Sequence, residues 1–253
     1  MRVLLIEDHA PLAGLVSREL QRECGWEVSY ARDPREASAH DRASFDLAII
    51  DLLYEHLTRD FDSRRAAGTV SLTSKELLLS GLAAVRDLAA DPAGTRFVIW
   101  TSGEASRRLH LLFAYEEFGA RVFCSKSAGT GTLDTLIDAL RAAADKRPYV
   151  DPVLNSYLPA DGAAAISGTI LHDPARRAVW RALALGARSR GQVSEITGYS
   201  SRHVGNLIPE MFNDLSAFDA GLRTSSSPMN EVISYASRNW EFFLDDTVRQ
   251  VYP

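Results

Sequence analysis

The sequence predicts an α/β protein, with a doubly wound five-stranded parallel sheet over residues 1–146 and a small all-α domain over 171–253. Three observations predict it. Five short apolar runs alternate with five segments of helical periodicity in the first half. The ends of strands one, three, four and five carry polar residues that a shared sheet edge would gather. The last third has no strand pattern, only helical segments opened by Ser or Asp-Pro and closed by Gly.

The elements follow in order. "VLLI" (3–6) is an apolar run without alternation and predicts a strand buried on both faces. "PLAGLVSRELQREC" (11–24) spaces Leu12, Leu15, Val16 and Leu20 as a helix. "WEVSYA" (26–31) alternates as a strand, and Asp33 and Pro34 cap and begin a helix in "DPREASAHDRA" (33–43). "LAII" (47–50) is the third strand, "GLAAVRDLAAD" (81–91) a helix, and "RFVIW" (96–100) the fourth strand. "SRRLHLLFAYEEF" (106–118) is helical, "RVFCS" (121–125) is the fifth strand, and "GTLDTLIDALRAAADK" (131–146) is a strongly periodic helix.

The strand ends carry the chemistry. Glu7 and Asp8 follow strand one, Asp51 strand three, Thr101 and Ser102 strand four, and Lys126 strand five. In an open parallel sheet the carboxyl edge is where ligands bind. Taken singly, each residue has a structural reading: an acid caps the next helix, a lysine is solvated, Thr-Ser makes a turn. As an ordered set they read as a site. Three converging carboxylates repel one another and call for a cation, and oxygen ligands with room for water suit Mg²⁺. Lys126 and the Thr101 hydroxyl supply positive charge and a donor for an added oxyanion. Asp51 is then the nucleophile of a phosphoryl-acceptor site, forming an acyl phosphate.

These residues resemble a known family. "VLLIEDH", "DLAIID", "VIWTSGE" and "GARVFCSK" match, in order, the motifs of two-component response-regulator receiver domains over residues 1 to 146. The resemblance implies a flavodoxin-like sheet and phosphorylation of Asp51 by a partner histidine kinase. It makes Glu7 and Asp8 the acidic pair, with Asp8 and Asp51 on Mg²⁺ and the backbone carbonyl of Leu53 as a further ligand. It makes Thr101 the switch hydroxyl, Lys126 the family's lysine and Phe123 the switch aromatic that turns inward on activation. Ser127 stands where the family usually has proline.

A second departure is an insert at about 54–80, "YEHLTRDFDSRRAAGTVSLTSKELLLS", beside the acceptor aspartate. A loop this long is functional or disordered. Two readings stay open. Arg59, Arg64 and Arg65 reach the phosphoryl group or are solvated, and "TSKELLLSGLAAVRDL" extends the following helix back to Thr73 or Ser74 as its cap.

Residues 147–170 carry prolines and a run of small residues and read as a linker with a short helix at 152–158. Asp173 and Pro174 then open a helix with Ala178, Val179 and Leu183 as its apolar stripe. "RGQVSEITG" (190–198) is a short helix closed by Gly198, and Ser200 caps a third helix whose buried face is Val204, Leu207, Ile208, Met211 and Phe212. Two helices joined by a tight glycine turn fit a helix-turn-helix. The pattern is similar to the C-terminal domain of LuxR/NarL-type regulators. That resemblance implies double-stranded DNA as partner, with Ser201, Arg202, His203 and Asn206 facing it. Pro209 departs from the pattern and is expected to kink the recognition helix or end it early. Val232, Tyr235, Ala236, Trp240 and Phe243 form the stripe of a C-terminal helix that packs on the helix-turn-helix or a second subunit.

Composition bounds the function. Of 253 residues, 46% are hydrophobic and 24% charged, ordinary for a globular chain. No apolar run approaches the roughly 20 residues that span a bilayer. The apolar start breaks at Glu7 and Asp8, so it is expected to be a first strand and not a signal peptide. Cys24 and Cys124 fit reduced thiols and a cytoplasmic protein, without zinc spacing. Net charge is −5, yet residues 172–223 hold seven arginines against five acids, a local +2 that suits a nucleic-acid face. The expected function is a DNA-binding transcription regulator switched at Asp51, dimerising on activation, with no membrane partner. Two alternatives remain: a receiver-controlled protein-interaction module, for example for a sigma factor, and a DNA-binding regulator controlled without phosphorylation. Nothing is set up for an enzyme acting on a small substrate.

Overall fold

The runs that are apolar without alternation, Val3 to Ile6 and Leu47 to Ile50, form the centre of a parallel sheet and are essentially fully buried. The structure is a computed structural model; it describes residues 1–67, 78–102, 105–127, 131–159, 165–219 and 227–253. It divides into two units: unit 1 is Met1–Leu57 with Ser80–Leu158, and unit 2 is Thr58–Leu79 with Pro159–Pro253.

Unit 1 contains β1 (Arg2–Ile6), α1 (Ala10–Cys24), β2 (Glu27–Ala31), α2 (Pro34–Ala37), β3 (Leu47–Ile50), the start of α3 (Glu55–Ala66), α4 (Leu82–Ala89), β4 (Arg96–Thr101), α5 (Arg108–Glu117), β5 (Val122–Ser125), α6 (Thr132–Ala144) and β6 (Tyr149–Val150). The sheet order is β2-β1-β3-β4-β5-β6, and every ladder is parallel. The order reverses direction at β1 and β3, and that crevice is where such sheets bind ligands. On one face Val3, Leu5, Leu47, Ile49, Val98, Trp100, Val122 and Cys124 pack against Val16 and Leu20 of α1 and Leu136 and Leu140 of α6. Each such aliphatic side chain removed from water contributes about 1.5–3 kcal/mol, which anchors the register of the sheet.

Three expectations for unit 1 need correction. The sheet has six strands, not five: Tyr149–Val150 pairs with β5, its amide bonds running Tyr149 N–H to Arg121 O and Asp151 N–H to Phe123 O. A two-residue edge strand after a proline carries no periodicity and was absorbed into the expected linker. The helix expected over 33–43 is only Pro34–Ala37, because the Ser38 hydroxyl turns back to the Arg35 carbonyl and the chain leaves the helix. α4 starts at Leu82 rather than extending back into the insert, since Ser80 pairs with Leu53 in an antiparallel bridge. The proposed cap at Thr73 or Ser74 lies outside the described residues.

Unit 2 takes most of α3, then α7 (Ile166–Thr169), α8 (Pro174–Ala184), α9 (Arg190–Thr197), α10 (Ser201–Phe218), α11 (Pro228–Arg238), α12 (Trp240–Leu244) and α13 (Asp246–Val251). The starts of α8, α9, α10 and α11 are side-chain capped: Asp173 accepts from Arg176 N–H, Ser189 from Gln192 N–H, Ser200 from His203 N–H and Ser227 from Asn230 N–H. Each cap satisfies a donor the helix leaves unpaired. Trp180 of α8 stacks on Phe243, with centroids 4.9 Å apart, and lies 5.8 Å from Tyr235. The C-terminal stripe is broken at Asn239, whose side-chain amide donates to Tyr235 O and separates α11 from α12. Among the described residues no helix is long and apolar enough to cross a membrane.

Pro209 does not end the helix that carries it: α10 runs from Ser201 to Phe218 around it. Val204, Leu207, Ile208, Met211 and Leu215 are buried along one face on both sides of the proline, and Pro209 itself is exposed. Burial of that face outweighs the lost hydrogen bond. Proline in a helix interior costs about 3 kcal/mol, so Pro209→Ala is expected to raise the thermal unfolding midpoint, by an amount corresponding to at most that figure; calorimetry checks it.

Candidate functional site

The ladder register brings the acids together. Ile6 pairs with Ile50, and Asp51 N–H donates to Ile6 O, so Glu7 and Asp51 leave adjacent strands side by side. Ligand oxygens of Glu7, Asp8 and Asp51 all lie within 4.8 Å of one another. Thr101 pairs with Ser125, and Lys126 N–H donates to Thr101 O at 2.9 Å, which turns the next side chain toward the acids. Lys126 Nζ is 2.6 Å from both Glu7 Oε2 and Asp51 Oδ2 and sits 5.0 Å from the centre of the Trp100 ring.

Burial sets the electrostatics. Glu7 and Asp51 are 1% and 5% exposed. Burial pushes the Asp51 carboxyl above its ordinary value, against the pull of Lys126 and of the Leu52 and Leu53 amides. Glu7 is raised for the same reason, and the Asp51 charge adds to it while Lys126 opposes. Burial alone would lower Lys126, but the charges of Asp51 and Glu7 hold it above its ordinary value. One lysine offsets one of three acids, so the pocket keeps an excess of negative charge. Asp51 Oδ1 and Thr101 Oγ1 are buried without hydrogen-bond partners among the described residues. Unsatisfied oxygens in an acidic, buried cluster suit a divalent cation with oxygen ligands.

The loop after Asp51 is held by its neighbours. Leu53 pairs with Ser80, and Gly81 N–H donates to Leu52 O at 3.4 Å. A Cβ on Gly81 would lie 2.0 Å from the Asp51 carbonyl oxygen and 3.0 Å from Ile50 Cγ2, so only glycine fits there. His56, in the first turn of α3, stands between two carboxylates: Nδ1 is 3.3 Å from Asp8 Oδ2 and Nε2 is 3.2 Å from Asp33 Oδ2. Burial opposes ionisation of Asp33, but the Glu36 and Arg35 amides and His56 together hold its carboxyl below the ordinary value.

In unit 2, Ser201, Arg202, His203 and Asn206 are all exposed on the first turns of α10, while Val204 and Leu207 point into the core. The turn into α10 is fixed by Gly198 at φ 75° and by the Ser194 hydroxyl donating to Tyr199 O. The Tyr199 ring meets His203 edge-on at 5.3 Å. The Arg190 guanidinium rests against Gly205 of α10, where a Cβ would stand 3.3 Å from Nη1.

Among the residues singled out from sequence, Glu7, Asp8, Asp51 and Lys126 meet in one pocket, and Thr101 ends the strand beside it. Leu53 lies at the pocket's loop, its backbone paired with Ser80. Phe123 is buried within β5, 6.4 Å from the Tyr115 ring. Of the insert's arginines, Arg65 belongs to unit 2, where it donates to Ala184 O at 2.8 Å, and Arg59 and Arg64 are exposed. Sequence reasoning missed His56 and Asp33, which no local spacing links to Asp8. It also missed the reciprocal cap in which Gln192 Oε1 accepts from Arg188 N–H, although Ser189 and Gln192 stand at the signature interval.

No family model and no curated protein matches the sequence. Solved structures do. The chain is similar to the RcsB response regulator of Salmonella typhimurium, at a TM-score of 0.55 and 12% identity, over 94% of this chain and 99% of that one. It is similar to a two-component response regulator RcsB–DNA complex at 0.55 and 13%, over 94% and 98%, and to RcsB in a structure of two dimers bound to two parallel DNAs at 0.53 and 12%, over 94% and 98%. At such identities the likeness is one of fold: a flavodoxin-like parallel α/β unit followed by a small helical one.

The tight approach of Gly81 generates a prediction. Gly81→Ala must displace either the Asp51 backbone or the start of α4, and overpacking of this kind costs about 1–3 kcal/mol or more. Chemical denaturation is expected to show that loss, and isothermal titration is expected to show weakened binding of divalent cation.

Proposed function

We propose that the protein is a DNA-binding response regulator of transcription whose unit 1 accepts a phosphoryl group at Asp51 from a partner histidine kinase. The observation that carries this reading is the Lys126 bridge to Glu7 and Asp51 inside a cluster of three acids, at the direction-reversal crevice of a receiver-type sheet. Asp51 supplies an oxygen nucleophile: its O–P bond forms as the N–P bond to the kinase imidazole breaks, and the electron pair leaves with that nitrogen. Glu7, Asp8 and Asp51, with the Leu53 carbonyl, would hold Mg²⁺. When bound, Mg²⁺ supplies charge neutralisation for the transferring phosphoryl oxygens. Lys126 is freed to face those oxygens, and the buried Thr101 hydroxyl has a donor to give them. Phe123, buried in β5, is the switch aromatic in this reading.

Unit 2 carries the output. Exposed Arg202 and Asn206 are one helical turn apart and share a face of α10, beside Ser201 and His203. Arginine suits guanine and asparagine suits adenine as bidentate partners in the major groove. RcsB, which this chain resembles in fold, is described in complex with DNA and as dimers. A homodimer formed on activation would read two half-sites together and gain affinity from both. The reading makes the protein a cytoplasmic switch rather than an enzyme for a small substrate.

Two outcomes test it. Acetyl phosphate with Mg²⁺ is expected to add one phosphoryl group by intact mass, and Asp51→Asn to abolish the gain; unchanged labelling of that variant would move the site elsewhere. Arg202→Ala and Asn206→Ala are each expected to cost about 1–3 kcal/mol of operator affinity and to relax selectivity at one base pair. Binding assays on mutated operators check this, and full affinity with full selectivity in both variants would sink the DNA reading.

A further inference from the structure

We infer that the insert is the element through which the state of Asp51 reaches unit 2. The inference rests on the phosphoacceptor reading above and names the regulation of that site. A loop that merely covered the pocket would fold with the sheet it leaves. The described residues of the insert, 58–67 with 78 and 79, instead group with the helical unit.

The contacts there are structural, not incidental. Phe61 of α3 is 3% exposed and stacks on Trp240, with centroids 5.2 Å apart and planes 12° from parallel. The Arg65 guanidinium lies 4.7 Å from the centre of the same indole, and its Nη1 donates to Ala184 O, a carbonyl that the end of α8 leaves unpaired. On the return, Leu79 N–H donates at 3.0 Å to Asp245 Oδ2. Asp245 is fully buried, and its other oxygen caps α13 by accepting from Thr247 N–H at 2.8 Å. The insert therefore touches the ends of α8, α12 and α13 at once.

Both ends of the insert are tied to the acid pocket within unit 1. On the way out, α3 begins four residues after Asp51, and His56 in its first turn holds Asp8 Oδ2. On the way back, Ser80 pairs with Leu53, Gly81 N–H donates to Leu52 O, and Gly81 is packed on the Asp51 carbonyl. A cation held by these acids would draw on the same Asp8 carboxylate that His56 contacts. A group added to Asp51 would act beside the Leu52–Leu53 backbone, to which the returning chain is pinned at Ser80 and Gly81. α3 runs as one helix from Glu55 to Ala66, so the turn that carries His56 and the turn that carries Phe61 belong to a single element.

The test uses the full chain. Hydrogen exchange is followed in peptides spanning 174–187 and 240–251, with and without acetyl phosphate and Mg²⁺, while intact mass reports Asp51 labelling. Wild type is expected to be labelled and to change exchange in both peptides. Phe61→Ala and Arg65→Met are expected to be labelled as wild type is, with the exchange change lost. If Phe61→Ala is already fully exchanged in these peptides without phosphate, Arg65→Met decides, since it keeps the aliphatic stem and removes only the guanidinium. Normal labelling with a wild-type exchange change in the deciding variant overturns the inference, as does a labelled wild type whose peptides never change. A wild type that takes no label overturns the phosphoacceptor reading itself, and the inference falls with it.

Discussion

Lys126 Nζ, 2.6 Å from both Glu7 and Asp51, is the contact on which the site depends. Removing a charge from water costs several kcal/mol, and only a well-placed counter-charge offsets it. Here two nearly buried carboxylates share one ammonium, and a third acid stands within ligand distance. The arrangement is neutral enough to fold and acidic enough to attract a cation. It also explains why Asp51 and Lys126 both titrate above their ordinary ranges: burial works against every charge in the pocket, and each charge is held by its opposite.

The acids, the hydroxyl and the lysine are delivered to this site by backbone pairing, parallel between Ile6 and Ile50 and between Thr101 and Ser125. The loop after Asp51 is then clamped by the return of the chain at Ser80 and Gly81. A glycine is required at 81 for lack of space, not for backbone freedom, because its φ of −71° is open to any residue. His56 adds a lateral brace, linking the Asp8 carboxylate to the Asp33 that caps α2.

Unit 2 shows tertiary packing deciding against local preference. Its core is an aromatic cluster in which Trp180 stacks on Phe243 and Tyr235 tilts against both, closed by the apolar face of α10. Burial of that face carries α10 through Pro209. The same packing recruits Phe61 and Arg65, residues that lie far earlier in the chain, and leaves the polar first turn of α10 in solvent. Arg176, paired with Glu210 and Asp214, ties α8 to α10 and uses up positive charge that composition alone would assign to a binding face.

Periodicity and capping residues in the sequence were enough to place the five main strands, the acid, hydroxyl and lysine positions at their ends, and the capped starts of the helices at Pro174, Arg190 and Ser201, because these features are written within a few residues of one another; the passage of α10 through Pro209 to Phe218 was not among them. Short elements such as β6 and the early end of α2 were not legible, since two or four residues carry no period and a single serine can stop a helix. The break of the C-terminal stripe at Asn239 escaped for the same reason. The insert was legible as an anomaly but not as a structure: α3 has few apolar residues, and Phe61 has meaning only against Trp240. Pairings such as His56 with Asp8, Leu79 with Asp245 and Gly81 against Asp51 join residues dozens to well over a hundred positions apart. Sequence order does not encode such distances, and only the folded chain, by burying these groups together, decides them.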